Sequence, residues 1–283
     1  IVYKAYGPPD VLRMEHVPKP HPEVDEVLIK VHATTVTAGD VNLRGFAFVP
    51  NGLKLLTRLV FGVRRPRKSI LGTEVAGEIV AVGENVTCFN VGDVVFGIGS
   101  SELGAYAEYV TRKATGALAL IPTGITPEEA ASVPFGAMTA HYFLKNRATI
   151  QPGQHVLVNG ASGGVGVYAV QIAKALGAEV TAVCSTSNVA MVRDLGADHV
   201  IDYTREDFTN NRATYDVIID TVLGAMTFKQ AKPALTPNGL YLAVAGGIGQ
   251  MIRSIWNKRV IVGTPPETAE LIAALVAMME SEQ

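Results

Sequence analysis

The chain has 283 residues, 48% of them hydrophobic and 18% charged, which is core material for one large domain or two ordinary ones and excludes a disordered chain. A net charge of -2 and a pI near 6.3 speak against nucleic acid or an anionic membrane as main partner. No apolar run reaches the roughly 18 residues of a membrane span. The two cysteines, Cys88 and Cys184, stand far apart in apolar stretches, so a disulfide framework and a four-cysteine zinc site are both excluded and a reducing cytoplasm is expected. No signal peptide opens the chain, and a start at Ile1 without Met implies that the true N-terminus lies upstream.

The first third reads as β structure. Val27 to Ala33 alternates polar with β-branched residues, Glu74 to Gly83 and Asp93 to Gly97 follow as strands between glycine turns, and Gly104 to Val110 completes the set. Many short strands with glycine-rich turns imply an antiparallel barrel or sandwich. Near Ile121 the rhythm changes. Thr126-Pro-Glu-Glu is a helix start, with Thr126 as N-cap, Pro127 at the first helical position and Glu129 closing a capping box. From His155 the pattern becomes strand, glycine turn, helix. Six strands are predicted, at His155–Asn159, Glu179–Cys184, His199–Ile201, Tyr215–Asp220, Gly239–Val244 and Arg259–Val262, with a helix from Val165 to Leu176 between the first two. Near-continuous apolar strands fit a parallel sheet covered on both faces. The chain is therefore predicted to be α/β, with a β-rich domain over 1–121 and a doubly wound Rossmann domain over 122–283.

The strongest chemical signal is Asn159-Gly-Ala-Ser-Gly-Gly-Val-Gly166, directly after a strand and opening a helix. A dinucleotide pyrophosphate needs a tight turn, close approach of backbone N–H groups and a helix N-terminus. Ala161, Ser162, Gly163, Gly164 and Val165 are the predicted contacts, with Gly166 allowing close helix–strand packing. The alternative is a glycine-rich turn of another ligand class, or of none. An acid about 20 residues downstream would hold the ribose 2′-hydroxyl of NAD. Here the second strand ends in Cys-Ser-Thr-Ser-Asn, without an acid. Ser185 and Asn188 leave room for a 2′-phosphate, so NADPH is expected over NADH. Their plain alternative is helix capping.

A β-rich half before a Rossmann half resembles the medium-chain dehydrogenase/reductase superfamily, and within it the zinc-independent quinone oxidoreductases. The resemblance rests on Tyr6 to Leu12, Glu26 to Ala33, Leu71 to Glu78, Val91 to Gly97, Gly104 to Tyr109, Ala130 to Pro134, Met138-Thr-Ala140, the glycine turn and Leu195 to Tyr203. It implies a GroES-like barrel beside the Rossmann domain, with NADPH and substrate in a cleft between them, and a homodimer formed through Arg259 to Val262. Family members continue past a helix like Glu267 to Glu282 and return to the N-terminal domain, so a C-terminal segment is expected to be missing. Where zinc alcohol dehydrogenases carry a cysteine and a histidine, this chain has Thr37 and Thr73; hydroxyls are poor substitutes, and no metal is expected.

By the same resemblance Thr139 lies near the nicotinamide, Tyr203 borders the 2′-phosphate, and Val222, Leu223, Ala245 and Gly246 line the cofactor cleft; the plain alternatives are a helix cap for Thr139, sheet-edge packing for Tyr203 and a simple chain turn for Ala245-Gly246. Thr37 and Asp40 occupy a segment where quinone oxidoreductases carry an Asn and an Asp, and are assigned to orientation and proton supply, with a capped turn as the alternative. Without zinc, an unconjugated carbonyl or an alcohol lacks a Lewis acid, whereas a quinone or enone is already electron-poor. Hydride transfer from NADPH to a quinone or α,β-unsaturated carbonyl is the expected activity. A zinc-free alcohol or aldehyde dehydrogenase and a non-catalytic NADPH-binding protein are the rivals. Phe46 and Phe48 stand where related enoyl reductases use a tyrosine. Leu53 to Phe61 reads as an apolar lid, and Arg64-Arg-Pro-Arg-Lys68 as a solvated loop. Cys184 reads as core rather than nucleophile.

Overall fold

A computed structural model describes residues 1–46, 58–59, 61–62, 65–224, 226–244 and 248–281. The expectations for Phe48, for Leu53 to Thr57 and Val60 of the lid, for Arg64, and for Ala245 and Gly246 lie outside the described residues. The described chain divides into two compact units, Ile1–Pro134 with Glu267–Gln283, and Phe135–Pro266.

In the first unit a short antiparallel pair, β1 (Val2–Tyr3) and β2 (Leu12–Arg13), precedes β3 (Glu26–Ala33). Then come helix α1 (Ala38–Gly45) and strands β4 (Glu74–Val82), β5 (Val94–Ile98), β6 (Tyr109–Lys113) and β7 (Ala117–Leu120). The last five strands form one antiparallel sheet in the order β6-β3-β4-β5-β7. Its inner face buries Val27, Ile29, Val75, Ile79, Val95, Val110 and Leu118, the alternate residues that a half-buried strand should turn inward. The sequence placed the fourth of these strands too early, at Gly104 to Val110. Gly104 has φ +95°, and the next two residues bond singly to Leu71 and Gly72 instead of entering the ladder.

Helix α2 (Pro127–Ala131) starts as expected, with the Thr126 hydroxyl accepting from the Glu129 N–H at 3.3 Å and the Glu129 carboxylate accepting from the Thr126 N–H at 2.9 Å. It packs on β3, β4 and β5. The division at 121/122 predicted from the sequence differs from this grouping: 122–134 and 267–283 cluster with the first unit, because α2 covers its sheet and the C-terminal helix packs on β7.

Helix α3 (Val133–His141) runs into a π-helical turn, Tyr142–Arg147, and leads to β8 (His155–Asn159). The second unit continues with α4 (Gly166–Ala175), β9 (Glu179–Cys184), α5 (Val189–Asp194), β10 (His199–Asp202) and β11 (Tyr215–Asp220). After these come α6 (Phe228–Ala231), β12 (Leu235–Ala243), α7 (Ile248–Trp256) and β13 (Val260–Val262), while α8 (Ala269–Ser281) closes the first unit. The sheet is parallel in the order β10-β9-β8-β11-β12-β13, the doubly wound arrangement expected from the sequence. Leu157, Ile218, Phe228 and Tyr241 anchor its core. The strand order reverses between β8 and β11, which opens a crevice at their carboxyl ends.

Candidate functional site

At that switch point the chain leaves β8 through the glycine turn. The turn is pinned from below: the Gly160 and Ala161 N–H groups donate to the Val183 carbonyl at 3.2 and 3.0 Å, and Gly163 N–H donates to Gly160 O at 3.0 Å. A Cβ on Gly166 would lie 2.1 Å from Gly160 O and 2.7 Å from the Ala161 Cα, so only glycine lets α4 start this close to β8. Helix α3 reaches the same turn, since a Cβ on Gly136 would stand 2.1 Å from Gly164 O. Gly164, in contrast, has open space above it, and Gly163 and Gly164 are exposed. The N-cap of α4, Val165, offers no side-chain acceptor, so the positive end of the helix is left for an anion. The cradle fits a dinucleotide pyrophosphate.

The ends of β9 and β10 form the flank of this turn. Asn188 Nδ2 donates to Ser162 Oγ at 3.1 Å and to Ser185 Oγ at 3.2 Å, which brings three of the predicted contact residues together; Ser185 and Ser187 hydroxyls lie 3.2 Å apart. Tyr203 is exposed, and its N–H donates to the Cys184 carbonyl at 3.1 Å, which sets it beside Ser185. Sequence reasoning found no cation here and missed Arg205. The parallel register pairs Asp202 with Cys184, so the turn after β10 comes to the end of β9. Asp202 accepts from the Thr186 hydroxyl, from Thr204 N–H at 2.9 Å and from Thr204 Oγ1 at 2.7 Å, with Arg205 Nε 3.6 Å away. The Thr186 hydrogen bond foremost, then those from Thr204, hold the Asp202 carboxyl below its ordinary pKa. A carboxylate is thus near the second strand after all, but its lone pairs are engaged by the loop, while Arg205 is exposed.

Beneath the crevice Asp220 is a buried node. Its Oδ1 accepts from Asn159 Nδ2 at 2.9 Å and from Val222 N–H at 3.2 Å, and its Oδ2 accepts from the Tyr241 hydroxyl at 2.7 Å. Tyr241 also approaches the Met226 carbonyl at 3.0 Å. Burial pushes the Asp220 carboxyl up, against the opposing pull of those hydrogen bonds, and pushes the Tyr241 hydroxyl up as well. The node ties the ends of β8, β11 and β12, on both sides of the switch point. Next to it Val222 and Leu223 are exposed.

Thr139 lies one helical turn beyond Gly136, is buried, and donates its hydroxyl to Phe135 O at 2.6 Å. His141, at the end of the same helix, is 3% exposed; burial foremost, then the charge of Lys145, holds its pKa below the ordinary value against the opposing pull of the Asn146 side chain. Cys184 is buried, and burial raises its thiol pKa, so the core reading of this residue stands.

In the first unit Thr37 and Asp40 cap α1. Asp40 Oδ2 accepts from Thr37 N–H at 3.0 Å and from Thr37 Oγ1 at 2.7 Å, and Asp40 Oδ1 accepts from Gly72 N–H at 3.1 Å. The carboxylate is 2% exposed and has a donor on each oxygen, and it helps to push the Tyr106 hydroxyl pKa up, after burial. Thr73 is buried with its hydroxyl unpartnered, and Phe46 packs against Tyr6 with ring centroids 4.7 Å apart. Among the described residues no group of three or more His, Cys, Asp or Glu is placed to hold a metal.

A parallel sheet in this order, with a glycine cradle at its switch point, defines the doubly wound dinucleotide-binding type of fold. Comparison with known proteins narrows it. The alcohol dehydrogenase GroES-like domain family matches residues 23–123, and the zinc-binding dehydrogenase family matches residues 164–275. A chloroplastic quinone-oxidoreductase homolog of Spinacia oleracea is 34% identical over 91% of this chain and 78% of its own length. A 2-methylene-furan-3-one reductase of Solanum lycopersicum is 32% identical over 89% of this chain and 66% of its own length. The solved quinone oxidoreductase of Coxiella burnetii superposes with a TM-score of 0.85 at 28% identity, covering 99% of this chain and 87% of that one. The chain belongs to the medium-chain dehydrogenase/reductase superfamily, with the quinone oxidoreductases as its relatives, and is an oxidoreductase of that type.

Proposed function

We propose that the protein transfers a hydride from NADPH to a quinone or an α,β-unsaturated carbonyl without a catalytic metal. The observation that carries the cofactor choice is the end of β9. Ser185, Ser187 and Asn188 present hydroxyls and an amide, the exposed Arg205 reaches Asp202 at 3.6 Å, and the Asp202 carboxylate is already engaged by Thr186 and Thr204. That set suits a 2′-phosphate better than a 2′-hydroxyl. Tyr203 borders it.

Bound NADPH supplies the hydride, and the chain's own residues bind and orient. Ala161 to Val165 receive the pyrophosphate, with Val222 and Leu223 along the crevice. The Thr139 hydroxyl donates its hydrogen bond to Phe135 O, so it has only lone pairs to offer, which fits the carboxamide N–H of a nicotinamide. Thr37 and Asp40 hold the start of α1 in place; with every oxygen of Asp40 engaged, the proton for the product comes from water.

The metal-free reading rests on the donor set. Thr37 is a helix cap, Thr73 is a neutral hydroxyl, and neither is a zinc ligand. The names of the spinach and tomato relatives support electron-poor acceptors. NADPH oxidation by chelator-treated protein against quinones, enones and simple aldehydes tests the proposal. Turnover of quinones or enones that survives chelation is expected. Activity confined to aldehydes, or lost with the chelator, would refute it.

A further inference from the structure

Helix α7 sends the half-buried Gln250 into the node beneath the crevice. Gln250 Nε2 donates to Met226 O at 2.9 Å and to the Tyr241 hydroxyl at 3.3 Å. A carbonyl only accepts, so the amide nitrogen of Gln250, and not its oxygen, must face Met226. The Tyr241 hydroxyl reaches two acceptors, Asp220 Oδ2 at 2.7 Å and Met226 O at 3.0 Å, and has one hydrogen to give. With Gln250 on the Met226 carbonyl both acceptors are served, and the Tyr241 hydrogen goes to Asp220.

The destination of that hydrogen bears on the crevice. Asp220 Oδ1 accepts from Asn159 Nδ2 and from Val222 N–H, which joins the turn after β11 to the end of β8. The same turn leans on the glycine cradle. Thr221 Oγ1 donates to Asn159 O at 2.8 Å, and a Cβ on Gly160 would lie 2.5 Å from Val222 Cγ2. The donors to Asp220 are an amide from β8, a main-chain N–H and the Tyr241 phenol from β12, none of them charged. Arg259 lies over the Phe228 ring at 5.6 Å, with its nitrogens on the Gly239 and Thr236 carbonyls. A buried carboxylate held by neutral donors depends on each of them.

We propose that Gln250 is a positioning residue for the cofactor: by holding the Met226 carbonyl it directs the Tyr241 hydrogen onto Asp220, and so keeps that carboxylate ionised and the Val222 turn set against the glycine cradle. The inference rests on the reading that NADPH binds at this cradle. Without Gln250 the Met226 carbonyl competes for the Tyr241 hydrogen. Burial pushes the Asp220 carboxyl up, and the Tyr241 hydrogen bond comes first among those that hold it down. A carboxyl that loses this donor takes up a proton at a higher pH, and once neutral it is a weaker acceptor for Val222 N–H.

The test is a set of NADPH titrations of the full chain, of Gln250→Met and Gln250→Ala, of Tyr241→Phe and of the double variant with Gln250→Met, from about pH 8 to about pH 5.5. Melts without cofactor show which variants are folded. Near neutral pH the Gln250 variants should bind NADPH about fivefold more weakly than the parent. The ratio of parent to variant affinity, which cancels the titration of the ligand's own phosphate, should widen as pH falls. In the Tyr241→Phe background Gln250→Met should change affinity no further, because the hydrogen it steers is gone. A merely structural Gln250 would lower stability without this pH dependence and would add to Tyr241→Phe. Unchanged affinity in the Gln250 variants, a loss that is equal at every pH, or additive losses in the double variant would each overturn the proposal. A parent chain that binds no dinucleotide would instead overturn the cofactor reading on which it rests.

Discussion

The glycine turn after β8 and the Thr37–Asp40 segment before α1 both stand out in the sequence as site candidates, yet the structure uses them differently. In the turn, main-chain packing is tight below and open above: Gly166 admits no Cβ, while Gly164 faces free space. In the Thr37–Asp40 segment every strong acceptor is consumed locally, by the capping box and by Gly72 N–H. A site has to leave some of its hydrogen-bonding capacity unspent. By that measure the proposed cofactor site in the second unit has capacity to spare, and the proposed role of the Thr37–Asp40 pair is positioning.

The contrast is broken hardest at Gly166. Gly166→Val sets a branched side chain against main-chain atoms, so denaturant melts are expected to show a loss of about 3 kcal/mol, together with loss of cofactor binding. Gly164→Ala is its partner experiment: stability should stay within about 0.5 kcal/mol while NADPH affinity falls, because the added methyl meets only the ligand. Equal affinity in that variant would show that nothing approaches the turn. Next comes the buried node. Tyr241→Phe removes a donor from Asp220, and a destabilisation of about 2 kcal/mol is expected, with a rise in the KM for NADPH as the Val222 turn loosens.

A smaller effect is expected at Asp40. Asp40→Asn keeps the shape and should leave kcat within about threefold, where loss of a general acid would cost about a hundredfold or more. A drop of that size would make Asp40 a proton donor and undo the comparison. The mildest change concerns pH. Burial depresses the His141 pKa, so the native state declines a proton that the unfolded chain accepts. Stability from this residue is present above the ordinary histidine value of about 6.5 and is lost as pH falls below it toward the depressed native value. In His141→Phe, melts compared across that window should show a flatter slope than in the parent.

Much of the fold was legible. Glu179–Cys184 and Tyr215–Asp220 were bounded correctly because unbroken apolar runs between glycine turns permit little else. Thr126 to Glu129 announced its helix through local hydrogen bonds alone. What was missed depends on distant neighbours. β7 is four residues long and exists through pairing with β5, and the C-terminal helix shows its apolar period in sequence but not which unit it covers. Arg205 joins the end of β9 only once the parallel register of β10 is known. The Thr37–Asp40 pair shows the opposite difficulty, since a Thr and an Asp three residues apart spell a capping box and a catalytic pair alike.

The most direct measurement is a paired titration of NADPH and NADH against the full chain, repeated with Arg205→Gln. Tighter binding of NADPH, reduced about tenfold by the substitution while NADH is unchanged, is the expected result. NADH binding as tightly as NADPH, or an Arg205→Gln variant that loses both equally, would contradict the account.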